Sequence, residues 1–299
     1  MPTLRAPAQE ETGIKWIENA PLDGLNSMGL RATARLLASV ASEKDLLRFL
    51  EWAKETGEKF VVLGGGTNVI LGDPMLDFAI LRLDGDFAKY VLEGNKITAG
   101  AAVPLARLAQ EAVKAALTGL EEASYIPGTL GGALAGNAGT PQWQISDNVK
   151  WVEALDRKGQ RRRFAAPEIT FEYRRSTLAG WVITRACLAL KTDRPENIAQ
   201  RLEAAKVRRI GQPRGARSAG CIFKNPPGDT AGRLIDAAGL KGLRRGDAVV
   251  SRHHANFIVN EGNATGPEVI ELIAEVRRRV LEQFNVSLET EVQILRSTT

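Results

Sequence analysis

Two small-residue loops restrict this chain more than anything else in it. The apolar run Phe60-Val61-Val62-Leu63 reads as a short buried strand, and it breaks directly into Gly64-Gly65-Gly66-Thr67-Asn68. Three successive glycines remove every Cβ, so backbone N–H groups can close around an anion. Further along comes Tyr125-Ile126-Pro127-Gly128-Thr129-Leu130-Gly131-Gly132-Ala133-Leu134-Ala135-Gly136-Asn137-Ala138-Gly139, which is dense in Gly and Ala. Backbone packed this closely suits a large flat or phosphorylated ligand; the bland reading is two tight turns in a small-residue α/β core. The first loop fits neither common nucleotide fingerprint. Asn68 and Val69 stand where the third glycine of G-x-G-x-x-G belongs, and no Gly-Lys-Ser/Thr follows.

The elements around the loops carry their own end signals. From Ser42 to Thr56 the spacing predicts an amphipathic helix, with Ser42 and Asp45 as a capping box, Leu46, Phe49, Leu50 and Ala53 on one face, and Gly57 as the stop. Short alternating runs follow at 79–83 and 96–99, a helix is expected over Leu105–Ala116, and strand-like runs return at 149–152 and 181–184. A polar helical stretch between Thr192 and Gln212 reads as the domain boundary. Beyond it, Thr265 and Glu268 form a capping box with Pro267 in the first turn, and Val269, Leu272, Ile273, Val276 and Val280 share one side. The closing segment alternates in period two, with Leu288, Val292 and Ile294 opposite Glu289, Glu291 and Gln293.

Composition removes whole classes of function. A chain of 299 residues with 44% hydrophobic and 25% charged residues is ordinary globular material of about two domains. No apolar run reaches the length of a membrane span, and the first residues lack a secretory core, so the expectation is no membrane and a cytoplasmic protein. Its two cysteines, Cys187 and Cys221, are read as reduced thiols. The only histidines, His253 and His254, are neighbours whose side chains diverge in extended backbone, so no metal is expected. A net charge of +5 invites a nucleic-acid reading, but the arginine pairs and triplets are scattered and lack interleaved aromatics. Anionic small molecules explain the surplus instead, and no nucleic-acid partner is expected.

The loops together resemble the paired pyrophosphate-cradling segments of flavoproteins. The ordered set is more specific. It runs from Val62 to Asn68, through Ile126–Gly132 with Asn137-Ala138-Gly139 and Tyr173-Arg174-Arg175-Ser176, to Cys221-Ile222-Phe223-Lys224-Asn225-Pro226. Ala238-Gly239-Leu240-Lys241-Gly242, His254-Ala255-Asn256-Phe257-Ile258-Val259-Asn260 and a terminal Glu291-Val292 complete it. This set resembles the UDP-N-acetylenolpyruvoylglucosamine reductase (MurB) family from about Asn26 to the end of the chain. All three tyrosines precede Ser176, which resembles the shorter subclass lacking a tyrosine-bearing loop.

The resemblance implies an α+β protein. An FAD-binding region of the vanillyl-alcohol-oxidase (PCMH) type would occupy 26–192, in two α/β subdomains of about 26–85 and 86–192. A segment 1–25 would precede it, and a substrate-binding α+β domain would follow at 200–299. It implies noncovalent FAD along Leu63, Gly64, Gly65, Gly66, Thr67 and Asn68, and along Pro127, Gly128, Thr129, Gly131 and Gly132, with Asn137, Ala138 and Gly139 beside them. NADPH would be the electron donor, a UDP-sugar the substrate, and a monomer the favoured state. By the same resemblance Arg174 and Glu291 polarise the substrate carboxyl group and Cys221 stands in the proton donor's place, where most family members carry a serine. Glu291 beside a carboxylate would have to be protonated or bridged by Arg174 or water. Arg214 and Lys224 would meet a diphosphate, and Asn225 the substrate or nicotinamide. Taken singly, Arg174 reads as a surface ion-pair residue, Cys221 as a structural thiol and Glu291 as a solvent-facing side chain. A flavin oxidase or dehydrogenase acting on a sugar or hydroxy acid, and a non-enzymatic flavin or nucleotide-sugar binding protein, share the loops and remain the alternatives.

Overall fold

The structure is a computed structural model and describes residues 13–213 and 215–297. The chain divides into two compact units that are not contiguous in sequence. The first takes the segment up to Glu18 together with Leu36–Gly65 and Phe78–Arg209; the second takes Asn19–Arg35, Gly66–Asp77 and everything from Ile210.

In the first unit, helix α1 (Glu43–Thr56) starts at the expected N-cap, Ser42, although Asp45 does not return a bond to the Ser42 backbone. The Ser42 hydroxyl accepts from Asp45 N at 3.2 Å and donates to Asp45 Oδ2 at 2.6 Å, and Gly57 closes the helix in left-handed backbone, φ 70°. Its buried face meets Trp16 and Phe60, with the Phe49 and Phe60 rings edge-on at 5.1 Å. Phe60–Val62 pairs in parallel with Ala79–Leu81 of a longer strand, Met75–Leu83. Helix α2 (Leu105–Lys114) ends sooner than expected, because Ala116 takes φ 54° and turns the chain away. It packs on a five-stranded antiparallel sheet of order Arg161–Ala165, Val149–Leu155, Val182–Ala189, Lys96–Gly100, Tyr90–Glu93. Helix α3 (Leu130–Ala135) lies within the second small-residue loop, with Thr129 as its N-cap.

Helix α4 (Pro195–Val207) is the polar stretch read as the boundary, and it belongs to the first unit. Arg201 pairs with buried Glu121 at 2.9 Å and with Asp193, Arg208 pairs with Glu122, and Arg209 donates to Tyr125 O at 2.9 Å. These bonds tie the helix to the first unit, which extends to Arg209.

The second unit holds an antiparallel sheet of order Ser218–Cys221, Phe257–Asn260, Ala248–Val250, Arg244–Arg245. Helix α5 (Ala231–Ala237) and the long helix α6 (Gly266–Phe284) follow the sheet's first and last strands in sequence. Both halves of the α6 capping box are formed, and Val269, Leu272, Ile273, Val276 and Val280 are buried as the spacing requires. Val69–Leu71 pairs in parallel with the closing strand Gln293–Leu295. That pairing is why Gly66–Asp77 lies in this unit despite its position early in the chain. Among the described residues no helix is long and apolar enough to cross a membrane.

Candidate active site

Within the first unit the two loops are in direct contact. A Cβ on Gly64 would lie 2.6 Å from Thr129 Oγ1, and one on Gly131 would lie 2.9 Å from Ala101 Cβ. The backbone holds the second loop in place: Leu105 N donates to Gly128 O at 3.0 Å, Leu130 N to Val103 O at 2.9 Å and Gly131 N to Ala101 O at 2.9 Å. Gly65, Pro127 and Gly132 remain exposed, and nothing lies closer than 3.6 Å to where a Gly132 Cβ would stand. Leu63 is buried, with its N–H given to Leu81 O. Ala138 spends both backbone groups on Ala133 O and Ile145 N. Asn137 is 1% exposed in left-handed backbone, and its Oδ1 has no partner within the protein.

Arg174 sits at the tip of a hairpin in the same unit. Phe171–Glu172 pairs antiparallel with Arg175–Ser176, leaving Tyr173 and Arg174 as a two-residue turn. Arg174 has φ 58°, the second turn position where glycine is favoured. Its guanidinium donates to Gly139 O at 2.8 Å and lies 5.0 Å from the Tyr173 ring centroid. Arg175 is exposed and pairs with Glu172.

In the second unit, Cys221 ends its strand half-buried, and the next residue is bonded on both sides. Ile222 N donates to Asn256 O at 2.9 Å, and Ile222 O accepts from Glu291 N at 2.8 Å. Cys221 and Glu291 are thus fixed beside one another on adjacent backbone, although 70 positions separate them. Asn68 joins them: its side-chain amide reaches Glu291 O at 3.4 Å and its carbonyl accepts from Gln293 N at 3.0 Å. Asn256 secures the assembly by accepting from Phe223 N at 2.9 Å and donating to Phe223 O at 2.8 Å. The motif containing Asn256 is visible in the sequence, but its role as a latch is not, because nothing local links it to Phe223. His254 Nδ1 accepts from Asn256 N at 3.3 Å, and burial, with some help from Lys241, pushes the ring's pKa down.

The weaker expectations are placed differently. Lys224 is paired with Glu289 at 2.5 Å, and the Asn225 side-chain oxygen accepts from Ala231 N at 3.1 Å, supporting the start of α5. Arg214 lies outside the described residues. Cys187 is a buried free thiol in the first unit.

Residues 34–165 match an FAD binding domain, and residues 212–295 match the C-terminal domain of UDP-N-acetylenolpyruvoylglucosamine reductase. A flavin domain followed by a domain of that kind defines an FAD-dependent oxidoreductase. The similarity extends over the whole length. A UDP-N-acetylenolpyruvoylglucosamine reductase of Moorella thermoacetica is 42% identical, covering 95% of each chain, and one of Thermus thermophilus is 40% identical, covering 92% of this chain and 98% of its own. The crystal structure of the reductase (MurB) from Thermus caldophilus superposes with a TM-score of 0.83 at 38% identity, covering 95% of this chain and 99% of that one. The chain belongs to the UDP-N-acetylenolpyruvoylglucosamine reductase family. Its cofactor is FAD, and the first unit fits one. The loops touch at Gly64 and Thr129, Gly65 and Gly132 stand exposed without side chains, and the Asn137 oxygen beside them has no partner within the protein.

Proposed function

We propose that the chain reduces the enolpyruvyl ether of UDP-N-acetyl-3-O-(1-carboxyvinyl)-glucosamine to UDP-N-acetylmuramate, a peptidoglycan precursor, with NADPH as electron donor and in the cytoplasm. The observation that carries the reading is the Glu291 N to Ile222 O bond, which seats Glu291 beside Cys221 within the matched C-terminal domain. FAD held along the two small-residue loops of the first unit would supply hydride transfer from NADPH to the terminal carbon of the enol ether. Reduction there puts negative charge on the substrate carboxyl group and leaves the neighbouring carbon in need of a proton.

The chain supplies three groups for that demand. Arg174 offers a planar fork that holds a carboxylate at two points and stays charged. Glu291 acts on the same carboxyl group, either protonated or bridged to it by Arg174 or water. Cys221 gives its thiol proton to the carbon next to the carboxyl group; an ordinary thiol, with a pKa near ~8.5, is still protonated at neutral pH. The exposed backbone of Gly65 meets the pyrophosphate of the dinucleotide.

The test is anaerobic. The purified protein should carry a yellow flavin spectrum, bleach with NADPH, and recover its colour on adding the enolpyruvyl substrate. A protein that binds no FAD, or that bleaches and is reoxidised by a simple sugar but not by the enolpyruvyl nucleotide, overturns the reading.

A further inference from the structure

The hairpin carrying Arg174 is anchored to the second loop by Ser176, the last residue of the Tyr173–Ser176 motif, to which the resemblance gives no role. Ser176 is 4% exposed, and its hydroxyl lies 2.8 Å from Leu134 O and 3.0 Å from Ala135 O while accepting from Leu178 N at 3.3 Å. A hydroxyl has one proton, so the two carbonyls share it and a lone pair takes the incoming N–H. The carbonyls are the last two of α3; Leu134 O also accepts from Gly136 N and Asn137 N, and the hydroxyl adds a further donor at this helix end. Asn137 holds the opposite strand of the hairpin, donating to Glu172 O at 3.0 Å. Arg174 stands between these two anchors in backbone that a residue with a Cβ resists, and such a conformation persists only where its surroundings over-determine it.

We infer that Ser176 is a positioning residue. It docks the hairpin on the end of α3 and thereby sets the guanidinium of Arg174 for the substrate carboxylate. The inference rests on the role proposed above for Arg174. Its signature is therefore selectivity for the step in which the carboxylate takes part.

The experiment compares Ser176→Ala, Ser176→Thr, Arg174→Ala and the double alanine variant as flavin-loaded proteins. Stopped flow reads reduction by NADPH and reoxidation by the enolpyruvyl nucleotide separately, and calorimetry reads substrate binding to the oxidised protein. Ser176→Ala is expected to slow reoxidation and weaken binding about tenfold, the scale of one lost hydrogen bond, with NADPH reduction unchanged. Ser176→Thr, which keeps the hydroxyl, should behave as the parent. In the Arg174→Ala background the serine change should add less than about twofold, because the two act as one unit. Equal slowing of both half-reactions, loss of flavin from Ser176→Ala, a threonine variant as defective as the alanine one, or full additivity with Arg174→Ala each overturns the inference. Unchanged reoxidation and binding in Arg174→Ala instead sinks the role of Arg174 itself, a distinct outcome read from the single variant.

Discussion

At Arg174 the backbone and the side chain call for different residues. The turn position suits glycine, while the guanidinium is what reaches Gly139 O and what the proposed chemistry needs. Arg174→Gly relieves roughly 1 kcal/mol of backbone strain and loses a hydrogen bond of similar worth. Thermal unfolding of that variant should therefore stay within about 1 kcal/mol of the parent while reoxidation by substrate falls ten- to a hundredfold, about the value of a charged hydrogen bond. A large loss of stability would mean that the arginine is a structural ion-pair residue. Cys221 permits a cleaner chemical test. Cys221→Ser keeps a proton to donate and should stay active, whereas Cys221→Ala should lose about a hundredfold or more in turnover yet still be bleached by NADPH. Normal turnover in the alanine variant would remove Cys221 as the donor. The identity of both residues is legible in the sequence through their motifs. The strained φ of one and the backbone neighbour of the other are not, since both depend on partners far along the chain.

Among the elements, those with end signals are the most legible. The limits of α1 and α6 follow from Ser42 with Asp45 and from Thr265 with Glu268, because a cap satisfies donors within three residues of itself. Helix α2 stops two residues short of the expected end because apolar periodicity continues into Ala115 and Ala116 after the backbone has turned. The first glycine loop shows how a local motif acquires its meaning from a distant contact. A Cβ on Gly66 would overlap Leu25 O, and the residue stands at φ 62° with its carbonyl accepting from Ser27 N at 2.9 Å. Gly66→Ala must displace that backbone, so the purified variant should hold clearly less FAD per chain than the parent. A full flavin complement by absorbance would show that the loop tolerates the shift. By contrast Gly132→Ala meets only an ordinary contact, Thr129 Oγ1 at 3.6 Å, and should leave unfolding unchanged, apart from any effect of a methyl group next to the bound cofactor.

For the whole molecule, the charge pattern predicts how stability responds to acid. Burial raises the pKa of Glu121, but bonds from Arg201, Thr118 and Gly119 N outweigh it and leave the carboxyl below its ordinary range. Asn197, Arg201 and Arg194 N hold Asp193 at about 2. A depressed carboxylate stabilises the fold above its unfolded pKa, and that contribution is lost as pH falls through the folded value. His254 has the same sign at higher pH, since a ring whose pKa is lowered resists the proton that the unfolded chain accepts. The melting temperature should thus decline below about pH 6.5 and fall further from pH 5 toward 2. Glu121→Gln should flatten the lower limb and His254→Gln the upper one; an unchanged profile in both would refute the assignment.

The glycine loops and the capped helices are legible in the sequence because each depends on residues close together in the chain, and the α+β class follows from the family that the order of the motifs resembles. Only the tertiary structure decided that Asn19–Arg35 and Gly66–Asp77 join the C-terminal unit, that α4 is bound to the first unit by arginines, that Lys224 is paired with Glu289, and that Asn256 and Ser176 act as latches. Each of these is a hydrogen bond or ion pair between segments far apart in sequence. Such a bond leaves no periodicity to read, since either partner alone looks like any other polar residue.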